Sequence, residues 1–199
     1  TRANLFNYVE SELLAVEPSL TPASSVVYGH ASKAAAQALL AKLYLNAEVY
    51  IGAPKRAEAA ACADYVISNS PYVLCGDGCS VPNAAKRPSV ETDPDVLEGY
   101  AAVFAPNNQD NPEIIWSIAY DNVTGANMNF AQMTLHYSSQ FTWNLQNQPW
   151  NGYSALEDFY NSYESADKRK AANFIVGPQS DYEGSVILDY AATGGDLAL

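Results

Sequence analysis

Between positions 121 and 156 the chain carries one acidic residue, Asp121, and neither lysine nor arginine. The same stretch holds Phe130, Tyr137, Phe141, Trp143, Trp150 and Tyr153. Interleaved with them stand the amides Asn122, Asn127, Asn129, Gln132, Gln140, Asn144, Gln146, Asn147, Gln148 and Asn151. Rings and uncharged amides in this mixture suit a sugar. A sugar presents an apolar C–H face and a rim of hydroxyls that both donate and accept. An aromatic ring covers the face, and an amide serves the rim. One ring over one sugar contributes on the order of 1–2 kcal/mol, so several rings must act together. Trp143, Trp150 and Tyr153 neighbour Asn, Gln, Pro or Gly rather than apolar runs, which favours exposure. With Tyr137, Asn144 and Asn151 they are the candidate ligand-binding residues. The competing reading is an irregular insertion whose rings fold inward. Trp116, inside an apolar β-branched run, is expected in the core.

The second chemical feature is Cys75-Gly76-Asp77-Gly78-Cys79, where two glycines let the chain fold back between the sulfurs. A disulfide here would stabilise by roughly 2 kcal/mol on the chain-entropy model and would imply export. A pair of free thiols is the alternative. A metal site is the third reading, but no nearby His or second Cys pair completes a zinc set, so no metal ligand is assigned. Cys62, in an Ala-rich run, reads as a small core residue.

Catalysis finds little footing. The two histidines, His30 and His136, sit in no recognisable nucleophile setting. There is no Gly-x-Ser-x-Gly elbow, phosphate-cradling loop or His-Glu-x-x-His. With 22 acidic residues some carboxylate pair always looks suggestive, yet the distances that matter for glycoside hydrolysis are three-dimensional. Asp167-x-Arg169 reads as a structural ion pair at a helix end. No catalytic residue and no cofactor are expected.

The elements that would position these residues follow from composition and periodicity. Nearly half the chain, 48%, is apolar, which excludes a disordered class. No apolar run approaches the roughly 20 residues of a membrane-spanning helix. A formal charge of −12 with ten scattered basic residues excludes a phosphate-reading surface, so no nucleic-acid partner is expected. The chain opens at Thr1 without a targeting pattern, and it is expected to be an interior piece of a longer protein.

A first helix is predicted over 4–16, with Leu5, Tyr8, Val9, Glu12, Leu13 and Val16 as its stripe. A second covers 31–47, facing inward with Ala36, Leu39, Leu40, Leu43 and Ala47. After a turn at Val49-Tyr50-Ile51-Gly52, Pro54 fits the first turn of a third helix. That helix, over 53–68, would bury Ala59, Cys62, Ala63, Val66 and Ile67. The last two form a close-packed antiparallel hairpin of the tetratricopeptide type. Residues 71–96 read as loop, 95–104 as a short helix, 113–120 (EIIWSIAY) as the best strand, and 155–164 as a helix. A short strand is expected within 174–190. The fold class is mainly α: tetratricopeptide-like helical hairpins of the α-α superhelix type, with an irregular loop-rich half containing a few short strands. One domain is expected, helical over about 4–70 and irregular and ligand-binding over about 71–199.

The segment Tyr28-Gly29-His30-Ala31-Ser32-Lys33-Ala34-Ala35-Ala36, continuing through Ala38-Leu39-Leu40-Ala41-Lys42-Leu43-Tyr44-Leu45-Asn46-Ala47, resembles the signature of the SusD/RagB family. Further similarities follow in family order: Val66-Ile67 with Tyr72, Tyr100 with Phe104, and Asn111-Pro112-Glu113-Ile114-Ile115-Trp116. Trp150-Asn151-Gly152 with Asp158-Phe159-Tyr160 and Asp167-Lys168-Arg169 completes the set. The order, more than any single motif, carries the resemblance over about residues 4–170. It implies tetratricopeptide-like pairs beneath an irregular ligand-binding half. It also implies a non-catalytic, surface-exposed binder of a glycan ligand that lids a SusC-like TonB-dependent transporter at the outer membrane. Membrane attachment would come only through a lipid anchor that this chain lacks. His30 stands where the family more often has Arg. The alternatives are a helical protein-interaction adaptor, which leaves the aromatic-amide stretch unexplained, and an exported glycoside hydrolase.

Overall fold

The computed structural model describes residues 1–187 apart from 77, 110, 121, 122, 124 and 126–128. Asn122 and Asn127 of the amide-rich stretch therefore lie outside the described residues, as do positions 188–190 of the span expected to hold a short strand. Among the described residues the chain is mostly helical, with nine α-helices and one two-stranded sheet. It divides into two compact units. One comprises 1–74 and 109–119, and the other the described residues of 75–108 and 120–187.

The first unit is built from α1 (Arg2–Val16), α2 (Lys33–Leu45), α3 (Ala47–Ile51) and α4 (Arg56–Asn69). Hydroxyls cap the two N-termini where open backbone donors need acceptors. Thr1 Oγ1 accepts from Asn4 N at 3.2 Å, and the fully buried Ser32 Oγ accepts from Ala35 N at 3.1 Å. Gly52, left-handed at φ 72°, ends α3 in a conformation that glycine adopts at no steric cost. The expected turn at 49–52 is thus largely a turn of helix. The expected second helix breaks at Asn46, and Pro54 lies ahead of α4 rather than in its first turn.

Phe6, Leu40, Tyr44, Ala47 and Ala59 form the core of this unit, with Leu13, Leu43, Ile51 and Cys62 against it. α2 and α4 share the most extensive helix–helix packing in the molecule. At the N-cap of α4, Lys55 Nζ lies 5.0 Å from the ring centre of Tyr44 on α2. The stripe expected for α1 is buried only in part, at Val9 and Leu13. Leu5, Tyr8 and Glu12 face outward, while Phe6, Glu10, Leu13 and Glu17 face inward. Apolar residues surround this helix, so its periodicity marks no unique face. Partners on other elements decide. Lys55 Nζ sits 2.5 Å from Glu10 Oε1, Lys33 Nζ 3.4 Å from Glu17 Oε1, and Gln37 Nε2 donates to Glu17 Oε1 at 3.0 Å. Likewise Leu39 and Ile67 stand exposed, contrary to expectation. Burial pushes the Cys62 thiol up, which keeps it protonated at neutral pH.

Residues 113–120 form no strand. A β-prone run becomes a strand only with a neighbour to ladder against, and none pairs with it among the described residues. Instead Tyr72 Oη donates to Ile115 O at 2.9 Å, and Val73 N donates to Pro112 O at 3.1 Å. Trp116, expected in the core, is 53% exposed, its Nε1 donating to Gly29 O at 3.2 Å.

The second unit has no helix longer than six residues among those described. Cys75 and Cys79 are joined as a disulfide with Cα atoms 5.0 Å apart. Beyond them β1 (Ser80–Pro82) pairs antiparallel with β2 (Val96–Glu98), Val81 opposite Leu97. The helix expected over 95–104 is therefore strand at its start. Gly99, at φ 54°, interrupts the chain before α5 (Tyr100–Val103), because no helix propagates through a positive-φ residue. There follow α6 (Phe130–Thr134), α7 (Ser139–Trp143), α8 (Glu157–Asn161) and α9 (Lys168–Asn173). Asp167 caps α9 by accepting from Arg169 N at 2.9 Å and also pairs with the Arg169 guanidinium. Within 174–187 the pairing is a single bridge, Ser180 with Val186.

Candidate functional site

All six expected ligand-binding residues lie in the second unit. Their placement begins with α6, a five-residue helix whose last carbonyls need donors from elsewhere. The segment after Pro149 supplies them. Trp150 N donates to Gln132 O at 2.6 Å, Asn151 N to Leu135 O at 3.1 Å, and Tyr153 N to Met133 O at 2.9 Å. Gly152 N also reaches Met133 O, at 2.6 Å. A Cβ on Gly152 would stand 3.3 Å from that oxygen, so glycine permits this approach. Asn151 takes the left-handed conformation, φ 49°, that Asn tolerates better than most residues. With their backbones tied to α6, Trp150 and Tyr153 project as half-exposed rings, 50% and 55% accessible. Tyr137 is similarly open at 47% and lies 5.7 Å, centre to centre, from the His136 ring.

α7 ends at Asn144, again left-handed at φ 50°, and its Trp143 has a different environment. The Arg87 guanidinium lies 5.4 Å from the Trp143 ring centre. Arg87 Nε and Nη2 each donate at 2.8 Å to the two oxygens of Asp93. Its Nη1 donates to Ser180 O at 3.1 Å and to Ser180 Oγ at 2.9 Å. Hydrogen bonding to the guanidinium holds the Asp93 carboxyl below the usual carboxylate range and raises Arg87. A cation therefore covers this ring, and Trp143 is half-buried.

Along 71 residues the sequence is 39% identical to the starch-binding protein SusD of Bacteroides thetaiotaomicron, a match covering 36% of this chain and 13% of that protein. The fold resembles a SusD superfamily protein of Bacteroides fragilis with a TM-score of 0.54, over 90% of this chain and 34% of the other, at 19% identity. The chain is SusD-like. The sequence match spans about an eighth of the length of the curated relative, and the fold match about a third of the solved one. No family model matches it.

The SusD-like chain does not gather the six residues into one hollow. Tyr153 lines a cavity of about 320 Å³ together with His136, Ser139, Ser154, Asn173 and Phe174. Trp143 lines a second hollow with Lys86 and Tyr182. Asn144 lines a third with Phe141, Asp181 and Glu183. Trp150, Asn151 and Tyr153 are brought together by their shared attachment to α6, and Tyr137 follows the same helix in sequence. Sequence reasoning missed Asn173 and Phe174, which come from the end of α9 and carry no local signal of a site. It also missed Arg87, whose partners Asp93, Trp143 and Ser180 lie at widely differing separations. Among the described residues no cluster of three or more His, Cys, Asp or Glu side chains could hold a metal ion. None of their helices is long and apolar enough to cross a membrane.

Proposed function

We propose that this SusD-like chain is the glycan-contacting part of a non-catalytic capture protein. The observation that carries the reading is the set of half-exposed rings Tyr137, Trp150 and Tyr153, in a stretch with no Lys or Arg and one acidic residue. Rings fixed through backbone hydrogen bonds keep their apolar faces ready for a sugar, and binding need not first order them. The starch-binding relative supports a glycan as the ligand class. In the full protein the role is capture at the outer face of the bacterial outer membrane, under a lipid anchor, for delivery to a SusC-like TonB-dependent transporter. The test is a glycan array on the intact protein, followed by titration of the best ligand against Trp150→Ala. Binding should weaken by about 1–2 kcal/mol, the worth of one ring's apolar coverage, with little dependence on salt. Binding of no oligosaccharide would overturn the reading, and turnover to released sugars would overturn its non-catalytic part.

A further inference from the structure

We infer that the cavity lined by Tyr153 and Asn173 seats an uncharged sugar unit, so that the protein selects neutral over acidic glycans. This rests on the glycan-binding reading and adds to it a location and a ligand class. At about 320 Å³ the cavity lies near the lower end of ligand sites, which span about 300–1,000 Å³, so it suits about one or two sugar rings rather than a long chain.

Its walls carry hydrogen-bonding groups that the protein does not use. Asn173 Oδ1 accepts from Tyr100 Oη at 3.1 Å, which orients the amide. Asn173 Nδ2, the Tyr153 hydroxyl and the Ser154 hydroxyl bond to no protein group among the described residues. One donor and two groups that both donate and accept match the rim of a sugar. The apolar side is supplied in part by Phe174. Edge-on contacts from Phe159, Tyr160 and Tyr163, at centre distances of 5.9, 5.3 and 5.4 Å, hold that ring in place.

The charge pattern then sets the class. Among the described residues no Asp, Glu, Lys or Arg lines this cavity, whereas Lys86 lines the hollow at Trp143 and Asp181 and Glu183 that at Asn144. His136 Nδ1 accepts from Ser138 N at 3.1 Å. Lys170, beside the Phe174 cluster, is committed to the Tyr160 face at 4.2 Å and donates to Tyr163 O at 3.3 Å. A uronate entering here would shed water from its carboxylate without gaining a cation. The net charge of −12 opposes its approach as well.

The test is calorimetric titration of the intact protein with maltohexaose, cellohexaose, mannohexaose and hexagalacturonate. Ser154→Trp blocks the cavity from an exposed position, and Asn173→Ala removes the free donor, also at an exposed position. A neutral hexasaccharide should bind, with hexagalacturonate at least about 30-fold weaker. Ser154→Trp should weaken the neutral ligand at least about 10-fold, and Asn173→Ala about 5-fold, with melting temperatures held. Hexagalacturonate binding as tightly as the best neutral ligand would overturn the selectivity while leaving glycan binding intact. Unchanged affinity in both variants would remove the sugar from this cavity. Failure of all four to bind, alongside an empty glycan array, would overturn the glycan-binding reading and the inference with it.

Discussion

The two units of this molecule solve the same problem with different means. In the first, three helices of 13 to 15 residues and the short α3 meet along apolar faces, and Phe6, Leu40, Tyr44, Ala47 and Ala59 make a core. In the second, helices of four to six residues are too short to persist alone. Directional links hold them instead: the Cys75–Cys79 disulfide, the Arg87–Asp93–Ser180 network, and backbone donors from 150–153 that cap α6. Apolar packing is tolerant of detail and hides rings. Directional links fix a backbone while leaving side chains such as Trp150 and Tyr153 free to face a ligand.

The largest effect that could break this contrast lies at Arg87. Its side chain is 11% exposed and that of Asp93 16%, so Arg87→Ala strands a largely buried carboxylate and should cost about 3–5 kcal/mol. Urea unfolding measures it, and a loss below about 1 kcal/mol would make the network incidental. The pH dependence has a definite sign. Because the folded-state pKa of Asp93 is lowered, its contribution is complete above the unfolded value, about 4. That contribution disappears as pH falls through the lower folded value. Arg87→Ala should flatten that acid limb.

In the first unit, Leu40→Ala should cost about 3 kcal/mol, since the side chain is 1% exposed and leaves a cavity. Small-to-large changes sharpen the point. Ala59→Leu, at a buried position, should cost about 1–3 kcal/mol by overpacking, while Ala60→Leu, outward on the same helix, should stay within about 0.5 kcal/mol. Equal effects at both positions would contradict the packed face.

A smaller effect comes at alkaline pH. Burial first, then the hydrogen bond and charge of Glu10, push the Tyr44 hydroxyl up to about 12. A raised folded pKa means stability is full below about pH 10 and is lost as pH rises through 12, by about 2 kcal/mol. Tyr44→Phe should remove this slope in pH-dependent unfolding.

For the disulfide, protein made under oxidising conditions should titrate one free thiol after unfolding without reductant, that of Cys62. Three would mean that Cys75 and Cys79 are unbonded, and reduction should otherwise cost roughly 2 kcal/mol. The least stability change is expected at Trp150→Ala. The ring is half exposed, so removal should cost no more than about 1 kcal/mol in melting measurements. A buried Trp would cost about 3–5 kcal/mol, and such a loss would return Trp150 to the core.

By itself the sequence determined the three long helices of the first unit, because alanine-rich runs and runs of helix-forming residues are local signals. The ordered resemblance to SusD/RagB and the uncharged ring-and-amide stretch were equally legible, since both depend on residue types along the chain. Tertiary structure alone decided which face of α1 goes inward, because Glu10 and Glu17 find their cations on other elements. It alone left 113–120 without a strand partner among the described residues and Trp116 half exposed. It placed Arg87 over Trp143 and brought Asn173 and Phe174 to Tyr153. Each of these turns on a contact between residues far apart in the chain, and local periodicity carries no record of which distant group will arrive.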